Sequence, residues 1–240
     1  MAKKILTIIL LLLAILPTFW PLAQPGFFRS DDGDWMVIRL SAFHQALKDG
    51  QFPVRFLYNL NHGYGYPVTN FLYPLPFYLG EAIHLLGFGF IDSVKILFIL
   101  SFVLGAVFMY FYAGFWAAVI YSYFPYRLFD VYQRGSLGEA VAFIFLPLIF
   151  YFLDRKKIVL ASIFTACLIT SHNVVAFLFF PVAAMYLFFN SKSIIHNSLF
   201  VILSLMLSAW FWLPAIYDLQ FTNTASIAVS DYTKYFLWPF

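Results

Sequence analysis

The chain has 240 residues, of which 63% are hydrophobic and 10% charged, and a mean hydropathy of +0.85; this composition excludes a soluble domain with a solvated surface. Its net charge of +3 is scattered, with no basic run dense enough to neutralise a phosphate backbone, so nucleic acid is excluded as a partner. A lone cysteine, Cys167, lies in an apolar segment and permits neither an intrachain disulfide nor a cysteine-based metal site.

Lys3 and Lys4 precede an apolar run over residues 5–20 that lacks a small-x-small cleavage site. This run reads as an uncleaved first span with its N-terminus in the cytoplasm. Pro21, Pro25 and Gly26 end it and open a first exterior loop over about 24–70, the longest polar stretch of the chain. Within the loop, Met36, Leu40, Phe43 and Leu47 recur at helical spacing, while Asp34, Ser41, Gln45 and Lys48 take another face. The run is too short and too charged to span a bilayer, so the pattern predicts an amphipathic helix lying along the membrane surface. Asp31 or Asp32 is positioned to cap its N-terminus, and Gly50 with Pro53 supplies a stop.

Asn61-His62-Gly63-Tyr64-Gly65-Tyr66-Pro67 follows, a turn-forming run with interface tyrosines. Residues 71–86 then form an apolar segment whose Glu81 and His84 are expected to point into the bundle or lie near an end, in packing or hydrogen-bonding roles. Residues 95–124 are almost wholly apolar. As one helix they would be about 45 Å long at 1.5 Å per residue, against a hydrocarbon core of about 30 Å. Either one strongly tilted helix or two arms hinged near Ala113-Gly114 is required. If 71–86 crosses inward, one net crossing by 95–124 leaves Arg134 and Glu139 outside and Arg155-Lys156-Lys157 in the cytoplasm. Two crossings would violate the positive-inside pattern unless 71–86 is re-entrant, so the single crossing is favoured. Runs over 158–170, 174–189 and 198–214 complete about seven spans. The class expected is all-α, a polytopic helical membrane bundle and multi-pass cell-membrane protein forming one transmembrane domain over 1–240. The abrupt close at Trp238-Pro239-Phe240 suggests the N-terminal part of a longer protein.

Three polar clusters fall on the exterior face by parity. Asp31, Asp32 and Asp34 offer a general base for an acceptor hydroxyl or oxygen ligands for a divalent cation, or serve solubility and capping alone. In Arg134-Gly135-Ser136-Leu137-Gly138-Glu139, Arg134 offers a fork of donors for phosphate, and Glu139 either orients a substrate or forms a plain structural pair with it. His172-Asn173 is suited to a sugar or phosphate, or to neighbouring groups. Arg127 reads as a snorkelling interface residue. No nucleotide loop, nucleophile elbow or histidine pair at zinc spacing is present in the sequence.

Ser30-Asp31-Asp32-Gly33-Asp34-Trp35, Arg39, Asp49-Gly50-Gln51-Phe52-Pro53-Val54-Arg55, Gly63-Tyr64-Gly65-Tyr66-Pro67, Tyr73-Pro74-Leu75-Pro76, Pro125-Tyr126-Arg127, Arg134 to Glu139, Ser171-His172-Asn173 and Trp212-Leu213-Pro214 form an ordered set over nearly the whole chain. The set resembles the 6-pyruvoyl-tetrahydropterin-synthase-related membrane proteins of bacteria and archaea. Pterin chemistry is not implied, because the soluble synthase's zinc-binding histidines have no counterpart. The architecture is similar to the GT-C class of membrane glycosyltransferases, in which an acidic residue of the first exterior loop serves catalysis and the donor is a polyprenyl-phosphate-linked sugar. The resemblance implies Asp32 as the catalytic acid position with Asp34 as alternate. It makes Arg39 and Arg134 candidates for the lipid phosphate; Glu139, His172 and Asn173, from the residue readings above, complete the expected binding groups. It further implies a membrane-lipid environment and a glycan or lipid acceptor. A non-enzymatic transporter or assembly partner for lipid-linked glycans is the alternative. Cofactor and metal are left unassigned, a divalent cation remaining open. Where this chain has Asp31, and near Met36, the family tends to carry histidine.

Overall fold

The computed structural model describes residues 2–191 and 193–223. Trp238-Pro239-Phe240 lie outside the described residues, which form an all-α bundle. Its helices are α1 (Ala2–Phe19), α2 (Gly33–Lys48), α3 (Val68–Phe71), α4 (Pro74–Leu85), α5 (Phe90–Ala113) and α6 (Phe115–Tyr123). They continue as α7 (Pro125–Phe129), α8 (Leu137–Asp154), α9 (Ile158–Ser171), α10 (Asn173–Asn190) and α11 (Ile194–Asp218). Five of them, α1, α5, α8, α10 and α11, are long and apolar enough to cross a membrane by length and composition. The chain is therefore read as a multi-pass membrane protein; α9, with 14 residues, is shorter.

Helix α2 forms where the apolar period placed it. Met36, Leu40, Phe43 and Ala46 are buried, and Gly50 at φ +86° ends the run. Leu40 packs on Gly80 and Phe43 on Phe77, so the apolar stripe of α2 is spent on α4. Removing the Phe43 ring would cost about 3–5 kcal/mol by lost transfer energy and cavity. The expected cap is not made. Asp32 occupies the position before the helix, but its side chain makes no capping bond, and the Asp31 carboxylate accepts instead from Gln133 Nε2 at 3.2 Å. The reason is a backbone strap that fixes this turn first. Asp31 N donates to Gln133 O and Asp32 N to Arg134 O, each at 2.8 Å. An added Cβ on Gly135, at φ +68°, would lie 2.6 Å from Gly33 N, so the two chains touch backbone to backbone.

Residues 95–124 do not make one tilted helix. Gly114, at φ +93°, breaks the run, and α6 folds back antiparallel to α5: Ala106 and Ala118 share one buried cluster, the Tyr121 ring lies against Gly105, and Arg127 Nη2 donates to Ser101 O at 2.9 Å. The 71–86 segment is not among the five helices long and apolar enough to cross. Helix α4 has 12 residues and starts at Pro74 and Pro76. It lies against α2 at the end of the bundle where Lys95, near the start of α5, donates to Gln24 O and Gly26 O. Helix α4 thus stays at the loop end, and α5 with α6 makes a helical hairpin. Helix α8 then runs from the loop end, where Gly138 meets Tyr73 and Ser171 O, to the far end, where Phe150 contacts Tyr112. Arg155, Lys156 and Lys157 follow at that far end, opposite Asp31, Asp32 and Asp34.

Arg127 does not snorkel. It is 2% exposed, with Nη1 reaching Tyr121 O at 3.3 Å and its guanidinium 4.6–5.4 Å from the ring centres of Tyr121, Phe102 and Phe143. Because α6 turns back into the bundle, the residue after it faces inward, where carbonyls and aromatic faces replace its hydration.

Candidate functional site

The three clusters that the sequence keeps far apart meet at the loop end. A wide helical turn over Asp130–Arg134 brings Gln133 and Arg134 under the strap from Asp31 and Asp32. Arg134 Nη1 donates to Glu139 Oε2 at 2.7 Å and to Asp130 Oδ1 at 2.9 Å, and approaches Tyr126 Oη at 3.3 Å. Tyr126 Oη donates in turn to Glu139 Oε1 at 2.5 Å. The structural pair is therefore formed, and Arg134, 37% exposed, has two carboxylates on one guanidinium.

Asp130 is wholly buried, and its Oδ2 has no hydrogen-bond partner. Burial, with Glu139 beside it, pushes its pKa up to about 8. At neutral pH the Asp130 carboxyl holds a proton, and Arg134 is balanced by Glu139 alone.

His172 sits between α9 and α10, with Nε2 4.0 Å from Glu139 Oε2. Its Nδ1 accepts from Val175 N at 3.3 Å and caps α10, so the neutral ring carries its proton on Nε2, facing Glu139. Burial pushes its pKa below the ordinary histidine value, with Glu139 opposing and Arg134 reinforcing. Asn173 is tied down, its Nδ2 donating to Phe71 O at 2.7 Å.

Tyr73 joins these groups to α2. Its ring stacks on His172 with centres 5.9 Å apart, and its Oη accepts from Arg39 Nη1 at 3.0 Å. Burial raises the Tyr73 pKa, Arg39 opposes that, and the charge of Asp32 adds to it, which places Asp32 within electrostatic reach of the same hydroxyl. Tyr73 adopts φ +24°, an uncommon conformation for a bulky residue, held by proline on one side and by Gly138 against its ring. The Arg39 guanidinium lies 5.8 Å from the Tyr66 ring centre, its Nε is buried without a partner, and among the described residues it forms no ion pair.

Of the sequence-derived candidates, Asp32, Arg39, Arg134, Glu139 and His172 are brought together. Asp34 is exposed in the first turn of α2, where the helix dipole favours its charge, and Asn173 serves the backbone of the 71 turn. Tyr73, Tyr126 and Asp130 were missed. Asp130 had a signal, since it stands four residues before Arg134 on the same turn; Tyr73 had none, because its positive φ depends on tertiary contacts. The site is an open surface: Asp31, Asp32 and Asp34 are all exposed, and the 840 Å³ and 640 Å³ cavities are lined by other residues. Asn173 borders a 440 Å³ groove of apolar side chains between α10 and α11. Among the described residues no three metal-ligating side chains converge.

No family model matches the chain, and no solved structure matches it. Among curated proteins it is similar to one from Lactococcus lactis subsp. cremoris (strain MG1363), described as "Uncharacterized protein", at 24% identity over 261 aligned residues. That alignment covers 96% of this chain and 42% of the relative, so the chain spans about two-fifths of the length of the curated relative it matches.

Proposed function

We propose that the protein is a GT-C-like glycosyltransferase, related to the 6-pyruvoyl-tetrahydropterin-synthase-related membrane proteins. In this reading it moves a sugar from a polyprenyl-phosphate donor to a glycan or lipid acceptor outside the cytoplasm. The observation that carries the reading is the meeting, at one end of an apolar bundle, of an exposed carboxylate and an arginine without an ion pair, both from the α2 segment, with a neutral histidine more than 130 residues away in the chain, joined through Tyr73.

In this scheme Arg39, rather than the already balanced Arg134, takes the lipid phosphate, since a cation free of carboxylates best stabilises charge developing on a leaving group. Asp32 takes the proton of the acceptor hydroxyl. His172 Nε2–H donates to a donor oxygen, and Arg134 with Glu139 acts as the strut that holds the strap. The groove beside Asn173 offers apolar surface for the lipid chain. With the sugar chemistry on the loop face, Lys3, Lys4 and Arg155 to Lys157 lie toward the cytoplasm, and α2 lies along the opposite membrane surface.

The test is transfer from a labelled polyprenyl-phosphate sugar by the full-length protein in membranes. Asp32→Asn is expected to lower turnover by roughly 100-fold or more, in the range of a lost general base. Full transfer by Asp32→Asn with loss in Asp34→Asn would move the base to Asp34. A wild-type protein that binds the donor without consuming it would replace the transferase with a transporter or assembly partner for lipid-linked glycans.

A further inference from the structure

On the far side of α2 from Arg39, two histidines that the proposed transfer does not use meet where α2, α4 and α5 join. His44 Nδ1 lies 2.8 Å from Glu81 Oε1, and His84 Nδ1 lies 2.7 Å from Phe88 O. A carbonyl oxygen only accepts, so His84 carries its proton on Nδ1; the Glu81 carboxylate holds the His44 proton on Nδ1 in the same way. With Nδ1 engaged in this way, a deprotonated Nε2 on either ring would present a free lone pair, and neither Nε2 has a partner among the described residues. This is how proteins prepare imidazoles for metals: one ring nitrogen is pinned by a carboxylate or a backbone carbonyl, and the other is turned outward.

The spacing of the rings agrees. Their centres are 4.7 Å apart with planes at 85°. Imidazoles bound to one ion at about 2.0–2.1 Å per nitrogen have ring centres roughly 3.2 Å from it, hence roughly 4.5–5.2 Å from each other at angles between square and tetrahedral. Glu81 supports the same reading. It is 7% exposed, and its Oε2 is buried without a partner. A buried carboxylate with one oxygen unpaired is costly unless its paired ring gains positive character, which a bound cation supplies. Phe90 packs face to face on His84, with ring centres 4.1 Å apart, and fixes that ring.

We propose that His44 and His84 form a two-imidazole site for a divalent transition-metal ion of the zinc or copper type, with Glu81 as the positioning carboxylate. No third protein ligand is present among the described residues, so water completes the coordination. Imidazole pairs select zinc, copper or nickel over magnesium or calcium, which prefer oxygen. His44 lines the 840 Å³ cavity between α2, the 59–60 turn and the start of α5, which also presents Ser41, Gln45, Asn59 and Asp92. The ion thus clamps α2, which carries Arg39, onto α4 while leaving coordination positions open toward that cavity.

The experiment is copper(II) titration of the full-length protein in detergent, read by electron paramagnetic resonance. One tightly held equivalent with two equivalent nitrogen couplings is expected. His44→Ala and His84→Ala should each remove one nitrogen and weaken binding at least 10-fold. Glu81→Gln should keep both nitrogens and weaken binding about 10- to 100-fold, the usual effect of losing such a partner. Unchanged stoichiometry and nitrogen count in the double His44→Ala, His84→Ala variant would overturn the site. The unaltered protein gives a second readout that needs no variant: zinc should protect His44 and His84, but not His62 or His196, from diethyl pyrocarbonate. Equal modification of all four with and without zinc would also overturn it.

Discussion

Arg127 and Arg134 stand in one short segment and have opposite fates. Arg127 is sealed inside the bundle with no carboxylate in contact, held by two helix carbonyls and three aromatic faces. Arg134 is partly exposed, ion-paired to Glu139 and hydrogen-bonded to the Asp130 carboxyl. Both are positively charged groups in an apolar chain, and each avoids the cost of burial by a different route: delocalised charge over π faces in one case, carboxylates and water in the other. The contrast shows that charge alone does not mark a site. A guanidinium whose donors and faces are all taken is architecture. The functional candidate is Arg39, whose Nε has no partner and whose Nη1 reaches the Tyr73 hydroxyl, on the ring that stacks on His172.

The largest expected effect separates the two arginines by packing. Arg127→Ala opens a cavity in the bundle and forfeits the aromatic contacts, and should cost about 3–5 kcal/mol. Arg127→Met restores most of the volume and should recover more than half of that loss in thermal unfolding in detergent. If Met is as damaging as Ala, charge rather than packing holds that region, and the contrast collapses. Next comes Glu139→Gln, which leaves Arg134 with Asp130 alone. Because Arg134 is more than a third exposed and screened, the stability loss should be smaller, about 1–2 kcal/mol. A loss equal to that of Arg127→Ala would show the Arg134 network to be as architectural as the Arg127 cage.

The remaining prediction is a pH slope, read as a trend rather than as a single loss. The folded-state pKa of Asp130, about 8, lies above the unfolded value of roughly 3.9. The native state therefore keeps a proton that the unfolded chain has released. Asp130 weakens the fold progressively as pH rises from about 4 to about 8, with no further change beyond. Asp130→Asn should remove this slope, so the wild-type minus variant difference in melting temperature should fall as pH rises across that window. An unchanged or reversed difference would mean that Asp130 is ionised in the native state and that Arg134 balances two charges.

Much of this was legible residue by residue. The period of Met36, Leu40 and Phe43 defined α2 and its buried face, and Gly114 marked the break in the long apolar run. Gly114 could not say which way the chain leaves the break, because a glycine permits both a tilt and a reversal. That single ambiguity propagated to Arg127, whose inward direction follows only from α6 folding back, and to α4, whose place depends on the same count. At the site, the charges of Asp32, Arg39, Arg134, Glu139 and His172 were visible. The links that join them are a strained tyrosine and a backbone strap, and neither leaves a pattern in the sequence.

That strap also sets an order of events. Asp31 and its partner Gln133 are 102 residues apart in the chain. At a synthesis rate of about 5–20 residues per second, the first exterior loop waits roughly 5–20 s for the segment that closes over it. Helix α2 can dock on α4 in that interval, because both have already been made. Arg134, its carboxylates and the strap can be added only after the α5–α6 hairpin is in place. The bundle thus makes its surface helix early and its candidate chemistry last, so translation pauses or truncations before Gly135 would yield chains with a folded loop and no site.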